Sequence, residues 1–268
     1  MKAYITLLSN QNYYPGVVAL WRALQAVRTR YPLYCLLSVG VGADVETALE
    51  RDGIRCIRLE RTAVSGLANP DTGWGGHWNY TFDKLLVWEQ TQFEKLVFLD
   101  SDMLILRNID ELFGREPFSA VVAGASYPGN ESWTELNSGL MVIEPDKEVT
   151  AELLQLVVPE IERAHSEGRM VGDQDVIKRY LTEWKKRPEL HLDEGYNLFA
   201  EYLGFYVRRL GYSLSDGEGE RPVRVVHFIG KAKPWMPKSV RQRLWLWRRW
   251  MRDIHYAKAY YKYKQYLK

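Results

Sequence analysis

Two carboxylates one residue apart, Asp100 and Asp102, interrupt the apolar run VFLDSDMLIL at residues 97–106. Four apolar residues precede the first aspartate and four follow the second, so the run predicts a strand that carries both acids into buried surroundings. A buried carboxylate without a partner is costly, and a hard divalent cation with oxygen ligands removes that cost. The spacing therefore predicts a site for Mg²⁺ or Mn²⁺ that holds a substrate phosphate. The alternative is an ordinary surface pair of acids, which is common at this spacing.

A further metal ligand is predicted at His227, close to the end of the apolar run 223–228. Gly230 and Lys233 follow closely; the glycine permits close backbone approach, and the lysine can place a point charge on a phosphate. Together these three residues are consistent with a clamp for a diphosphate. An imidazole beside two carboxylates favours Mn²⁺ over Mg²⁺. A histidine with a purely structural role after a strand is the alternative.

Strands and helices alternate along the chain, and this order would position the acids at the edge of a sheet. The pattern predicts strands at 3–8, 34–39, 54–59, 96–99 and 223–228, further apolar runs at 119–123 and 140–143, and helices over 17–27, 44–51, 82–92, 147–167, 172–181 and 238–265. Helices of this length between strands imply βαβ units and a parallel sheet. Ligands in such sheets bind beyond the carboxyl ends of the strands, where Asp100 and Asp102 fall.

Length and composition indicate a folded α/β protein. The chain has 268 residues, of which 46% are hydrophobic, enough for one large domain or two small ones. Cys35 and Cys56 both lie in apolar stretches and are predicted to be buried thiols in a reducing compartment. The opening MKAYITLLSN is too short for a signal peptide or a membrane span and is predicted to be the first strand, so a cytoplasmic location is expected.

The C-terminal segment differs in charge from the rest of the chain. Residues 231–268 carry twelve Lys or Arg and one acid, Asp253, whereas the remainder has 24 bases and 33 acids. In a single helix, one face would be shared by Val240, Leu244, Trp247, Met251 and Ile254. Such a helix is expected either to pack on the domain or to lie in plane on an anionic membrane surface, as a peripheral membrane element. An acidic partner is less favoured, and no nucleic acid is expected.

Seven segments carry a resemblance to a known family, in the same order and with similar spacing. They are ITLLSN (5–10), KLLVW (84–88), FLDSDMLILRNIDELF (98–113), NSGLMVIEP (137–145), GDQDVI (172–177), YNL (196–198) and HFIGKAKPW (227–235). Together they resemble the glycogenin-like, family 8 retaining glycosyltransferases over about residues 3–236. The resemblance implies a single GT-A (Rossmann-like) nucleotide-sugar-binding α/β domain with a mixed central sheet at 1–236, followed by a basic amphipathic helical tail at 237–268.

The resemblance also implies a role for each matched residue. The uridine pocket would be formed by Leu7, Ser9, Asn10 and Tyr13, the diphosphate contacts by Gly230 and Lys233, and the donor-sugar contacts by Asn137 and Ser138. The metal ligands would be Asp100, Asp102 and His227, with Ser101 beside them in the donor site. The predicted catalytic residues are Lys84, which would reach the donor sugar and phosphate, and Asp173 and Gln174, which would lie near the anomeric carbon.

The reaction implied is metal-dependent transfer of a hexose, with glucose or galactose favoured, from a UDP-sugar to a hydroxyl acceptor such as a glycan. Configuration would be retained by attack on the same face, with the leaving phosphate helping to deprotonate the acceptor and Asp173 acting as a positioning or electrostatic residue. The alternative is a catalytically silent UDP-sugar-binding or scaffold protein held at a membrane by its tail. The oligomeric state is open, and a dimer is one option.

Three departures from the family pattern bear on this prediction. Met170 stands where glycogenin has an acid, and no tyrosine cleanly matches its self-glucosylated position. The loop 66–79 lacks the family's usual basic residue, and its Trp74, His77 and Trp78 would either stack on a sugar acceptor or form a packed lid. Two other classes fit less well. The residue that an aspartate-nucleophile phosphatase needs after its second aspartate is absent, and no G-x-G-x-x-G follows the first strand, as a dinucleotide-binding oxidoreductase requires.

Overall fold

Strands are distributed over the whole chain of the computed structural model, which describes residues 1–64, 81–215, 221–230 and 233–268. In chain order they are β1 (Lys2–Leu8), β2 (Leu33–Leu37), β3 (Arg55–Arg58), β4 (Lys95–Leu99), β5 (Met103–Ile105), β6 (Ala120–Val121), β7 (Asn137–Ile143), β8 (Leu198–Phe199), β9 (Tyr212–Ser213), β10 (Arg221–Pro222) and β11 (Val225–His227). The predicted strands are all present within two residues of their predicted ends, except that β7 begins three residues earlier, at Asn137.

Helices separate most of these strands. They are α1 (Tyr14–Ala26), α2 (Ala43–Arg51), α3 (Lys147–Ser166), α4 (Asp173–Tyr180), α5 (Leu203–Leu210), α6 (Val240–Arg252) and α7 (Ile254–Tyr266). Short 3₁₀ helices occur at Gln11–Tyr13, Phe82–Glu89, Asp110–Gly114, Trp184–Lys186, Pro188–Leu190, Glu194–Tyr196 and Ala200–Tyr202. In the described ranges, no helix is both long enough and apolar enough to cross a bilayer.

The central sheet has six strands in the order β3-β2-β1-β4-β7-β6. The four strands from β3 to β4 are parallel, as predicted, and β7 runs antiparallel to β4 and to β6. Side chains of β1 alternate between two cores: Tyr4 and Leu8 pack on one face of the sheet, and Ala3 and Ile5 on the other. Because both faces are covered, the inner strands β1, β4 and β7 are largely apolar, whereas the edge strand β3 (RCIR) is only partly buried.

A second, three-stranded sheet brings the C-terminal part of the sequence to the end of β4. Its order is β5-β11-β8, with β11 antiparallel to β5. The register pairs His227 with Met103, the residue directly after Asp102. In addition, the Phe228 amide donates to the Asp102 carbonyl oxygen at 3.0 Å. The backbone alone therefore places His227 beside the two aspartates.

Local structure differs from the prediction in three respects. The segment predicted to be helical over 82–92 is a 3₁₀ helix that ends earlier, Phe82–Glu89. The single helix predicted over 238–265 is two helices, because Asp253 adopts an extended backbone (φ −140°, ψ 91°) and caps α7 by accepting from the amides of His255 and Tyr256. Helix α5, which is capped after Leu210 by Gly211 with φ +73°, has no counterpart in the prediction. The loop 66–79, with its aromatic residues, lies outside the described residues.

The two cysteines lie side by side on parallel strands. Cys35 and Cys56 are register partners on β2 and β3, and both are free. Cys35 is buried as predicted, whereas Cys56 is only half-buried. Burial raises the pKa of Cys56 to about 11, so its thiol stays protonated and unreactive at neutral pH.

Candidate active site

The three predicted metal ligands come together at the carboxyl end of β4. Asp100, Asp102 and His227 each offer one ligand atom, and these atoms lie within 4.8 Å of one another. His227 Nε2 is 3.1 Å from Asp102 Oδ1 and 3.8 Å from Asp100 Oδ2. Two carboxylate oxygens and one imidazole nitrogen, converging on one point, form a donor set that fits a divalent cation such as Mn²⁺.

A chain of amide groups fixes which nitrogen of His227 faces the carboxylates. The Gly139 amide must be a donor, and it donates to Asn137 Oδ1 at 3.1 Å. Asn197 Nδ2 donates to the same oxygen at 2.8 Å, which leaves Asn197 Oδ1 as the acceptor for His227 Nδ1 at 2.9 Å. His227 therefore carries its proton on Nδ1 and presents the lone pair of Nε2 to the metal position.

Asn197, which is not among the site residues predicted from the sequence, supports His227. Its side chain is completely buried, and it orients His227 from behind. The available signal was its place in the YNL segment, one residue before the apolar strand β8. A buried asparagine in that position needs polar partners, and the structure provides them through His227 and Asn137.

Gly139 allows the close approach on which this geometry depends. A Cβ at this position would lie 2.7 Å from His227 Cε1 and 2.9 Å from Asp100 Oδ2. The Gly139 carbonyl oxygen also accepts from the Asp100 amide at 2.8 Å, which ties the end of β4 to β7. Asn137 and Ser138 accordingly lie on a strand of the central sheet, where the isolated motif would suggest a turn.

Two buried lysines neutralise the carboxylates. Lys84 Nζ lies 3.1 Å from Asp100 Oδ1 and 3.0 Å from Asp173 Oδ2, so it links the metal position to the start of α4. Lys233 Nζ pairs with Asp102 and also donates to the Phe228 carbonyl oxygen at 3.1 Å. Both lysines are almost completely buried, which makes these ion pairs poorly screened by solvent.

The ion pairs shift the pKa values of the groups involved. Burial favours the neutral form of Asp102, but Lys233 and His227 outweigh it and hold the pKa of this carboxyl well below its ordinary value. Burial likewise works against the charged form of Lys84, but Asp100 and Asp173 raise its pKa above the ordinary value. Asp102 is thus ionised, as a metal ligand must be, and Lys84 is charged at neutral pH.

The start of α4 supplies the residues predicted to lie near the sugar. Asp173 is its first residue and accepts from Ser138 Oγ at 2.8 Å. Gln174 Oε1 accepts from the Ser138 amide and from Asn137 Nδ2, both at 3.1 Å. These bonds tie the helix terminus to β7, so both side chains are held in place beside Lys84.

One cavity of about 550 Å³ unites these groups. Of the predicted site residues it is lined by Leu7, Ser9, Asn10, Tyr13, Lys84, Asp100, Ser101, Asp102, Asn137, Ser138, Asp173, Gln174 and Lys233. Two predicted site residues of the described chain, His227 and Gly230, do not line it. Gly230 follows the lining residue Ile229 and has φ +92°, a backbone that favours glycine. Met170 also lines the cavity.

The same residues fall within a match to a known family. The family model described as Glycosyl transferase family 8 matches residues 4–238. The chain belongs to glycosyltransferase family 8. Glycogenin-1 of Caenorhabditis elegans is 33% identical to this family 8 chain over 241 residues, which are 87% of the chain and 51% of that protein. UDP-glucuronate:xylan alpha-glucuronosyltransferase 2 of Arabidopsis thaliana is 26% identical over 237 residues, 88% of the chain and 36% of that protein.

This family 8 chain therefore spans about half, or less, of the length of these relatives. A solved structure gives the fold: the galactosyltransferase LgtC, in complex with donor and acceptor sugar analogs, matches with a TM-score of 0.60 at 17% identity. The match covers 97% of this chain and 95% of that one. The predicted GT-A fold with a mixed central sheet is confirmed.

Proposed function

We propose that this chain is a metal-dependent, retaining glycosyltransferase that moves a hexose from a UDP-sugar to a hydroxyl group of a glycan. The observation that carries the proposal is the position of Lys84 between Asp100 of the metal cluster and Asp173 at the start of α4. One buried ammonium group thereby joins a diphosphate-binding position to a sugar-binding position within a single cavity. The UDP-glucuronate named for the Arabidopsis relative supports a UDP-sugar as donor.

The charges of the site suit a diphosphate. The four carboxylates that line the cavity are balanced by four cationic side chains, so a bound divalent cation would leave the lining positively charged. The carboxylates are Asp100, Asp102, Asp173 and Asp175, and the cations are Lys84, Arg169, Lys178 and Lys233. When bound by Asp100, Asp102 and His227, the cation would stabilise the negative charge that develops on the leaving diphosphate. Lys233, now paired with Asp102, would donate to a phosphate oxygen once the cation takes over that carboxylate.

The sugar would lie between Lys84 and the start of α4. Retention through a covalent intermediate would need a carboxylate free to attack the anomeric carbon. Asp173 is the nearest candidate, but its Oδ2 already accepts from Ser138 and pairs with Lys84. We therefore propose same-face attack, with Asp173 and Gln174 positioning the sugar and the leaving phosphate taking the acceptor proton.

Donor turnover tests this function. The full chain is incubated with Mn²⁺ and, separately, UDP-glucose, UDP-galactose, UDP-xylose and UDP-glucuronate, and the release of UDP is measured. We expect hydrolysis of a hexose donor, with glucose or galactose favoured, that is lost on chelation and restored by Mn²⁺, with Mg²⁺ as the comparison. Binding of UDP-sugars without turnover of any donor would instead support the alternative, a silent UDP-sugar-binding or scaffold protein.

A second cavity next to the first is the proposed acceptor site. It has a volume of about 310 Å³ and shares four residues with the donor cavity: Asn137, Gln174, Lys178 and Phe199. Trp133 lines it with 43% of its surface exposed and packs edge-to-face on Phe199 at 6.5 Å between ring centroids. An exposed indole held by a second ring is a suitable platform for stacking on a sugar ring.

Trp133→Ala is expected to raise the KM for a glycan acceptor about tenfold, because stacking worth about 1.4 kcal/mol is lost. UDP-sugar hydrolysis without acceptor should stay within about twofold of the parent, since Trp133 does not line the donor cavity. Trp133→Phe is the matched control and should retain most of the acceptor affinity. An unchanged acceptor KM in the alanine variant, or an equal loss in donor hydrolysis, contradicts this placement.

A further inference from the structure

The exposed apolar side chains of this protein are concentrated in its C-terminal helices. In the described part of the chain, seven of the twelve exposed large hydrophobic residues lie between Val240 and Tyr261. Four of them are on α6 at the spacing of one helical face: Val240, Leu244, Trp247 and Met251. Val240 is 82% exposed and Met251 70%, so the predicted apolar face of α6 points to solvent.

The opposite side of α6 is held firmly against the domain. Leu246 is buried, Trp250 is half-buried and packs on Tyr260 and Tyr261, and Arg249 donates to the Glu201 carbonyl oxygen. Helix α7 packs against α1 and α5 with its tyrosines buried in the core. Helix α6 is therefore anchored to the domain through Leu246, Arg249 and Trp250, and its apolar face is left exposed.

Positive charge flanks this exposed face. Arg241, Arg248 and Arg252 share a second line about a quarter turn away, and α6 contains no acidic residue. Arg248 and Arg252 also line a cavity of about 400 Å³, in which four arginines stand against the two acids Glu201 and Asp253. Apolar side chains bordered by arginines, with Trp at the boundary, form the pattern of a helix that lies in the plane of a membrane interface.

We propose that α6 docks in plane on an anionic lipid bilayer. Val240, Leu244, Trp247 and Met251 would enter the boundary between headgroups and acyl chains, and the flanking arginines would contact lipid phosphates. A second copy of the chain fits less well, because pairing α6 with itself would bring arginines together without acids. Nucleic acid would match the arginines and leave the aliphatic side chains without a partner.

Flotation of the full chain on vesicles tests this proposal. We expect the protein to float with vesicles of phosphatidylcholine and phosphatidylglycerol. With vesicles of phosphatidylcholine alone, it should remain in the bottom fraction of the gradient. Trp247→Ser with Met251→Ser should lower the bound fraction at least about tenfold, and Arg248→Gln with Arg252→Gln should do so by roughly the same factor. All four side chains are exposed, so these variants are expected to fold, as thermal denaturation would check.

The matched control removes two equally exposed valines elsewhere. Val39→Ser with Val158→Ser, which are 50% and 59% exposed, should float like the parent. The proposal is overturned if the parent does not float with anionic vesicles, or if the α6 variants float as well as the parent. It is also overturned if the only effect of the α6 variants is a change in the oligomeric mass of the protein in solution, because α6 would then bind a second copy of the chain. Because flotation needs no UDP-sugar, failure here leaves the proposed transferase activity untouched.

Discussion

Asp102→Asn is expected to lower metal-dependent transfer by roughly 10²–10³-fold or more. Asp102 offers one of the three converging ligand atoms, lies 3.1 Å from His227 Nε2 and pairs with the buried Lys233. Asparagine has nearly the same shape but a neutral oxygen, so both the charge and the affinity for a hard cation fall. Initial rates at increasing Mn²⁺, together with Mn²⁺ affinity by calorimetry, measure the effect.

Loss of stability must be separated from loss of metal binding, because the substitution leaves the Lys233 ammonium buried beside a neutral amide. Asp110→Asn is a matched control: Asp110 is as buried as Asp102 but accepts from Tyr4 and Thr29, away from the cavity. We expect it to lower the melting temperature and leave Mn²⁺ affinity unchanged. If Asp102→Asn keeps the Mn²⁺ affinity and the transfer rate of the parent, the proposed metal site is contradicted.

The three proposed metal ligands could be singled out in the sequence because each is a polar residue set in an apolar run. Asp100 and Asp102 follow a strand whose apolar side chains commit it to the interior, and His227 ends another. What the sequence does not contain is the register that joins them. His227 comes beside Asp102 because β11 pairs antiparallel with β5, a contact between segments more than a hundred residues apart.

The residues that orient the ligands were harder to predict, for a physical reason. Asn197 acts through hydrogen bonds to His227 and Asn137, and Gly139 acts by lacking a Cβ that would collide with His227. Neither role leaves a local pattern, since both depend on atoms that only the folded chain brings near. Both residues lie in the motif segments, Gly139 in NSGLMVIEP and Asn197 in YNL, but these segments do not indicate what either residue does.

The C-terminal segment shows the same limit. Helical periodicity gives the apolar face of α6, yet it cannot tell whether that face points inward or to solvent. Here the interior is filled by the α7 tyrosines, which take the place that the α6 face would otherwise occupy. The break at Asp253 makes this arrangement available, because its carboxylate caps α7 and also accepts from the Gly204 amide of α5.

Asp173→Asn is expected to lower transfer by roughly 10²–10³-fold while UDP still binds. The asparagine oxygen can still accept from Ser138 and Lys84, so the local structure should persist. The negative charge near the sugar is lost, and of the two carboxylates that pair with Lys84 only Asp100 keeps its charge. The expected loss is therefore in kcat at saturating donor, with UDP affinity close to that of the parent, because the metal cluster and Lys233 are unchanged.

Asp175→Asn separates this effect from a general loss of charge at the start of α4. Asp175 lies on the same first turn and also lines the cavity. Its carboxylate accepts from the Gly172 amide and pairs with Arg169 at 3.5 Å, and in the described part of the chain it forms no ion pair with Lys84. Equal losses in the two variants would mean that the charge of the helix terminus is what matters. Near-normal turnover in Asp173→Asn would remove Asp173 from the mechanism and leave Lys84 and the metal cluster to stabilise the transition state without it.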